Sequence, residues 1–218
     1  MRSAVAPPEP GERPALTAEA RATGIDAAAA AARRVIESLL HAGDSAADLS
    51  GVADQLNAIA DQLAAQAPTV DERIADMWSG EGVTRHDPVT GPENAIAPPM
   101  PIRGLDDGSV EATVTLHLPY QGPPGLVHGG VSALLLDHTL GTANFWAGAS
   151  GRTGELTLRY HRPTPLFEQL TVSGRQTAVD GRKIWTEGAI RDASGGVCVS
   201  AKGLFITPRP EAIRFGRG

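Results

Sequence analysis

Cysteine is almost absent from this chain of 218 residues, where Cys198 stands alone. No intramolecular disulfide can form, and a reducing compartment, the cytoplasm, is expected. Aromatic residues make up only 4% of the chain, so aliphatic side chains must do most of the packing. No apolar run approaches the ~18 residues that a membrane span needs, so no span is expected. The opening stretch MRSAVAPPEPGERPAL has no apolar segment of the secretory kind. No dense basic patch interleaves with aromatics, which disfavours nucleic-acid binding. There is no Gly-x-Ser-x-Gly elbow, no phosphate-cradling Gly-x-x-x-x-Gly-Lys loop and no metal-ligand spacing. Neither a metal nor a cofactor is expected.

What is present fits one ordinary domain with an extension. Hydrophobic residues reach 41%, enough for a core. The net charge of −6 is unevenly spread: residues 1–151 carry 8 Lys/Arg against 19 Asp/Glu, and residues 152–218 carry 11 against 6. A basic final third is compatible with a phosphorylated ligand, or with a strand-rich region whose solvent face uses arginine.

Residues 1–24 are rich in Pro, Ala, Glu and Arg, and a disordered tail is expected. Ile25, Ala29, Ala32, Val35, Ile36, Leu39 and Leu40 recur at helical spacing, and Gly43 and Asp44 break the pattern. A second helical pattern runs through Leu49, Val52, Leu56, Ile59, Ala60 and Leu63. Residues 25–67 are therefore expected to form a helical hairpin that packs on the main domain or on a partner chain. Residues 68–105, dense in Pro, Gly and Asp, are expected to be linker and loop, with one helical turn near Ile74–Trp78.

Residues 106–208 have a different character. Ala112, Val114, Leu116 and Leu118 alternate with polar residues, as in a strand with one buried face. Further alternations begin at Leu156, Leu170, Ile184 and Val197. Turn signals stand at Val179-Asp-Gly-Arg182 and Asp192-Ala-Ser-Gly-Gly196. Between the first strand and the others lies one long apolar helix. An antiparallel sheet wrapped around that helix, an α+β fold, satisfies this order. Residues 209–218 are expected to be a C-terminal tail.

The helix carries the chemistry. In Leu126-Val-His-Gly-Gly-Val-Ser-Ala-Leu-Leu-Leu-Asp-His-Thr-Leu-Gly141 a glycine turn leads into an apolar segment with a single acid, Asp137. An acid among leucines is costly unless something pairs with it or uses it. It is either a functional carboxylate, a solvent-face acid or an arginine partner. Glycines 129 and 130 let the backbone approach a ligand, and first-turn N–H groups can hold an oxyanion. His128 is a base or, preferably, a residue that hydrogen-bonds locally to fix the turn. His138 points about 100° away from Asp137 around the helix, as packing or surface.

Gly125-Leu-Val-His-Gly-Gly130, Leu136-Asp-His-Thr-Leu-Gly141 and Leu156-Thr-Leu-Arg-Tyr-His-Arg-Pro-Thr-Pro-Leu166 together resemble the hotdog-fold acyl-CoA thioesterases. The phenylacetate-pathway type and the thioesterase superfamily member 4 group are the most similar, over about residues 108–207. The resemblance implies a hotdog domain with an N-terminal helical extension. It implies hydrolysis of an acyl-CoA, with Asp137 as general base or nucleophile, Gly129 as the carbonyl-polarising N–H, and His128 in the position of the motif histidine. It places on Thr153 the hydroxyl that faces the acid from the partner subunit. It implies a homodimer, with a tetramer above it in some members. Gly130 and Asn144 are expected beside the substrate, and Arg162, Arg182, Lys183 and Lys202 near the CoA phosphates. Two rival functions remain: a non-catalytic acyl-CoA-binding module of the same fold, and a hotdog hydratase, disfavoured because His128 precedes the glycines and Asp137 comes late.

Overall fold

The computed structural model describes residues 13–45, 48–77 and 82–209. Helix α1, Gly24–Ala42, begins where the Arg21 N–H donates to Asp26 in the first turn at 2.6 Å. It ends at Gly43, which takes a positive φ of 49° while its N–H returns to the Leu39 carbonyl. Helix α2, Leu49–Ala64, is capped by Asp48, whose carboxylate accepts from the Gly51 N–H at 2.9 Å. Helix α3, Val70–Met77, opens with a reciprocal capping box between Thr69 and Glu72. Helix α4 is the short turn Gly82–Arg85.

Both helices expected in residues 25–67 are present, but they do not form a packed hairpin. Helix α1 lies against the main domain at the 3-10 turn Leu118–Tyr120. Helix α2 buries no residue, and Leu49, Val52, Ile59 and Leu63 stay exposed along it. An amphipathic pattern specifies a helix and a face, but not what covers that face.

Two further expectations are corrected. Residues 13–23, within the expected disordered tail, are tied to the domain. Ala15 bridges Arg103, the Leu16 N–H donates to the Ile102 carbonyl at 2.8 Å, and Thr17 accepts from the Ile102 N–H. The segment satisfies an edge that would otherwise be open to other chains. Residues 86–101, expected as linker, are a buried strap in which Val89, Ala97 and Met100 are at most 1% exposed. Asp87 shapes its turn by accepting from the N–H groups of Val89 and Thr90. Trp78 and residues 210–218 of the C-terminal tail lie outside the described residues.

The strap leads into β1, Ile102–Gly104, too short for an alternation to announce it, and then β2, Ser109–Thr115. Helix α5, Gly129–Trp146, precedes β3, Arg152–Tyr160, β4, Gln169–Asp180, β5, Lys183–Arg191, and β6, Val197–Ile206. The strands form one six-stranded sheet in the order β1-β2-β4-β5-β6-β3, every pair antiparallel. Helix α5 lies on its inner face with Leu135, Leu136, Leu140 and Ala143 fully buried. Gly188 permits that approach, because a Cβ there would stand 2.8 Å from a Leu140 methyl. This is the hotdog architecture, and it leaves β3 as an open edge.

The N-terminal elements are locked on by a buried ion network. Arg85 donates to both oxygens of Asp26 at 2.6 Å and to Glu93. The Asp26 side chain is 2% exposed. Burial alone would raise its carboxyl, but Arg85 and the Arg21 N–H outweigh that and hold it below the usual carboxylate range.

Candidate active site

The head of α5 is built by its own turn. The His128 N–H donates to the Tyr120 carbonyl at 2.9 Å, and the His128 Nδ1 accepts from the Gly130 N–H at 3.0 Å. His128 is therefore the N-cap, and its Nδ1 lone pair is occupied by the turn. The His128 carbonyl accepts from Val131 at 2.9 Å, and the Gly129 carbonyl accepts from the Tyr160 hydroxyl at 2.9 Å. The Gly129 N–H has no partner among the described residues. It is a free donor at the positive end of a helix.

Asp137 follows eight residues later on α5. It is partly exposed, at the boundary between buried Leu135, Leu136 and Leu140 and the open stripe of Leu134. Its Oδ1 accepts from the Thr153 hydroxyl at 2.8 Å. This corrects one expectation: the hydroxyl that faces the acid belongs to the same chain, not to a partner. The cause is a bulge in β3. Thr153 pairs with Phe205 and Glu155 with Leu204, so Gly154 is passed over. Thr153 thereby shares the inner face with Leu156, Leu158 and Tyr160.

The proposed substrate contacts divide. Gly130 is exposed at the turn, but its N–H is taken by His128. Asn144 is fully buried, accepting from Thr186 at 2.5 Å and Gln176 at 3.3 Å. A lone amide on an apolar helix signals either role, and here its partners are the polar residues that β4 and β5 turn inward. Arg162 pairs with Asp192 at 3.0 Å and lines a cleft of about 290 Å³ beside Gly129 and Tyr160. Arg182 and Lys183 sit at the β4–β5 turn, and Lys183 lies opposite Ile206. The Arg162 N–H instead meets the Cys198 carbonyl. From Cys198 to Ile206 along β6 is about 26 Å, so these cations form no single cluster. Lys202 pairs with Glu187 at 3.0 Å between them.

Two contacts were missed. Tyr160 grips the glycine turn, although its place in the Tyr-x-Arg-Pro stretch marked it. His138 faces Asp87 at 3.2 Å and Thr90 at 3.4 Å, tying the strap to α5 beside Asp137. Burial would raise the Asp87 carboxyl, but His138 and the two turn N–H groups bring it below the ordinary range. Cys198 is buried, and burial, with Asp192 nearby, pushes its thiol up, away from a nucleophile's range. Among the described residues no group of three or more His, Cys, Asp or Glu could hold a metal ion, and no helix is long and apolar enough to cross a membrane.

Comparison with known proteins bears on both halves of the chain. Residues 124–199 match the family model described as thioesterase superfamily. Residues 16–72 match one described as hypothetical protein RHA1_ro05818, N-terminal helical domain. The acyl-coenzyme A thioesterase THEM4 of Bos taurus is 35% identical over 95 residues, covering 43% of this chain and 39% of that protein. The Mus musculus protein is 35% identical over 97 residues, covering 44% and 41%. The chain thus matches about two fifths of the length of these curated relatives. A solved crystal structure of a thioesterase superfamily protein is 60% identical, with a TM-score of 0.82, covering 89% of this chain and 96% of that one. A likeness of that depth over nearly the whole of both chains includes the helices as well as the sheet, and this chain belongs to the thioesterase superfamily.

Proposed function

We propose that the protein hydrolyses acyl-CoA thioesters, using Asp137 and Thr153 of one chain with Gly129 of a second. The observation that carries this reading is the division of labour along α5. A free N–H stands at its head, and a carboxylate gripped by a hydroxyl stands eight residues on. Those residues correspond to about 12 Å of helix rise. A thioester carbonyl held about 3 Å from the donor cannot also be met by water on the same chain's Asp137.

A second copy closes the gap. Strand β3 is an open edge with Thr153 near one end and Tyr160 at the other. Antiparallel pairing of two such edges sets the Tyr160 end of one beside the Thr153 end of its partner. Gly129, held by Tyr160, then faces the partner's carboxylate. The open stripe of α5, with Leu134 43% and Phe145 67% exposed, is apolar surface for the same contact.

In this assembly Asp137 takes a proton from water as the oxygen attacks the thioester carbon. Thr153 orients the carboxylate. The Gly129 N–H holds the negative charge that develops on the carbonyl oxygen. Collapse breaks the C–S bond, and the CoA thiolate leaves and is protonated, giving free acid and CoA. A positioned base is worth about 10²–10⁴-fold, and one oxyanion donor about 10²–10³-fold. Arg162, beside the glycine turn, is the cation placed to meet a CoA phosphate. A thiol-release assay over short, medium, long and aromatic acyl-CoAs tests the reading. Tight acyl-CoA binding without hydrolysis would overturn it in favour of a binding module.

A further inference from the structure

The strongest unassigned feature is an apolar cleft of about 400 Å³ between α1 and the hotdog domain. Helix α1 contributes Ile36, with Arg33, Arg34 and Glu37 beside it. Facing it are Ile96, Pro98 and Pro99 of the strap, and Pro119 and Tyr120 of the 3-10 turn. That volume is within the range that encloses a small-molecule ligand.

Tyr120 connects the cleft to the reacting end of α5. Its hydroxyl donates to the Ile96 carbonyl at 3.1 Å across the cleft. Its carbonyl accepts from the His128 N–H at 2.9 Å, one residue before Gly129. One residue thus holds the strap with its side chain and the turn that presents the free donor with its backbone. Burial pushes the Tyr120 phenol up to about 12, so that part of the wall stays neutral.

The rim is mostly satisfied from within. Arg33 donates to the carbonyls of Asn94 at 2.9 Å and Pro92 at 3.4 Å. Glu37 is faced by His41 at 3.3 Å and His117 at 3.7 Å. Arg34 is exposed to solvent. Most of the exposed lining is hydrocarbon, which suits an alkyl or aryl group.

We infer that this cleft receives the acyl group of the substrate, so that α1, an element outside the sheet, determines acyl specificity in favour of medium-length or aryl groups over very short ones. This rests on the thioesterase reading above for the position of the carbonyl.

The test uses the full chain with Ile36→Trp, which fills the cleft, and Ile36→Ala, which enlarges it. The readouts are kcat/KM for butyryl-, octanoyl- and palmitoyl-CoA, and the affinity of a non-hydrolysable octanoyl thioether of CoA. Ile36→Trp is expected to lower the octanoyl-to-butyryl ratio of kcat/KM by about tenfold or more. Ile36→Ala is expected to move the preference towards longer chains, which keeps the test available if the bulky variant folds poorly. An unchanged chain-length profile in both variants, with hydrolysis intact, overturns the inference and leaves the thioesterase reading standing. If the wild type hydrolyses nothing, the thioesterase reading fails. The thioether then decides: weakened binding in Ile36→Trp supports the cleft, and unchanged binding overturns it.

Discussion

Thr153 donates to Asp137 at 2.8 Å within one chain, while Gly129, the free donor, stands about two helical turns away. The pair is a preset carboxylate without an electrophile polariser beside it. The first expectation follows. Asp137→Asn should fold normally and lose about 10²–10⁴-fold in kcat on the best acyl-CoA. Thr153→Ala should lose about 10–100-fold, the weight of a hydrogen bond to a charged group. Thr153→Ser should recover most of that, whereas equal losses for Ala and Ser would argue against the hydroxyl's role.

The split site makes a sharper prediction. Gly129→Pro removes the donor with little cost to the helix, because Gly129 is its first residue and proline suits that position. His128, at φ −62° and ψ 133°, already has the backbone that precedes proline. Each variant alone should be nearly inactive. Refolded as an equal mixture with Asp137→Asn, the heterodimers should regain one intact site of two, roughly a quarter of wild-type activity across the population. No recovery, with mixed dimers shown by mass spectrometry, would place both groups in one chain's site.

His128 is expected to act through the turn alone. His128→Ala removes the cap bond and should cost about 1 kcal/mol of stability. Activity should fall while the pH–rate profile keeps its shape. Loss of one limb of that profile would instead identify His128 as the base.

Docking of the N-terminal helices should fail in acid. The folded state holds the Asp26 carboxyl below its ordinary range. Its stabilisation is therefore present above about pH 4 and is lost as pH falls through the depressed value. Hydrogen exchange in α1 should rise there before exchange in β4 and β5. Arg85→Ala, which takes the ion partner from the buried Asp26 carboxylate, should cost about 3–5 kcal/mol at neutral pH, measured by urea unfolding.

The sheet, the central helix and the pairing of a glycine turn with an acid were legible because each leaves a local period or a short fixed spacing. What was not legible depends on distant partners. The strap of residues 86–101 has a loop's composition, and only the fold shows Met100 and Ala97 fully buried. Asp26 and Arg85 lie 59 residues apart, and neither announces the other. Residue type marked Asn144 and the four cations, but not their neighbours: Asn144 is buried against Thr186 and Gln176, and only Arg162 lines the cleft beside Gly129. The family resemblance places the hydroxyl on Thr153, yet strict alternation from Leu156 turns that residue to the outer face.

That last point separates the reaction from the fold. The bulge at Gly154 is one residue of slack in an otherwise regular ladder. Were Gly154 drawn into regular pairing, every residue before it would slip by one place, with Leu156, Leu158 and Tyr160 still seated. The Thr153 hydroxyl would turn out to solvent and the acid would lose its guide. A stable, well-folded and chemically silent protein lies one step of register away from this one.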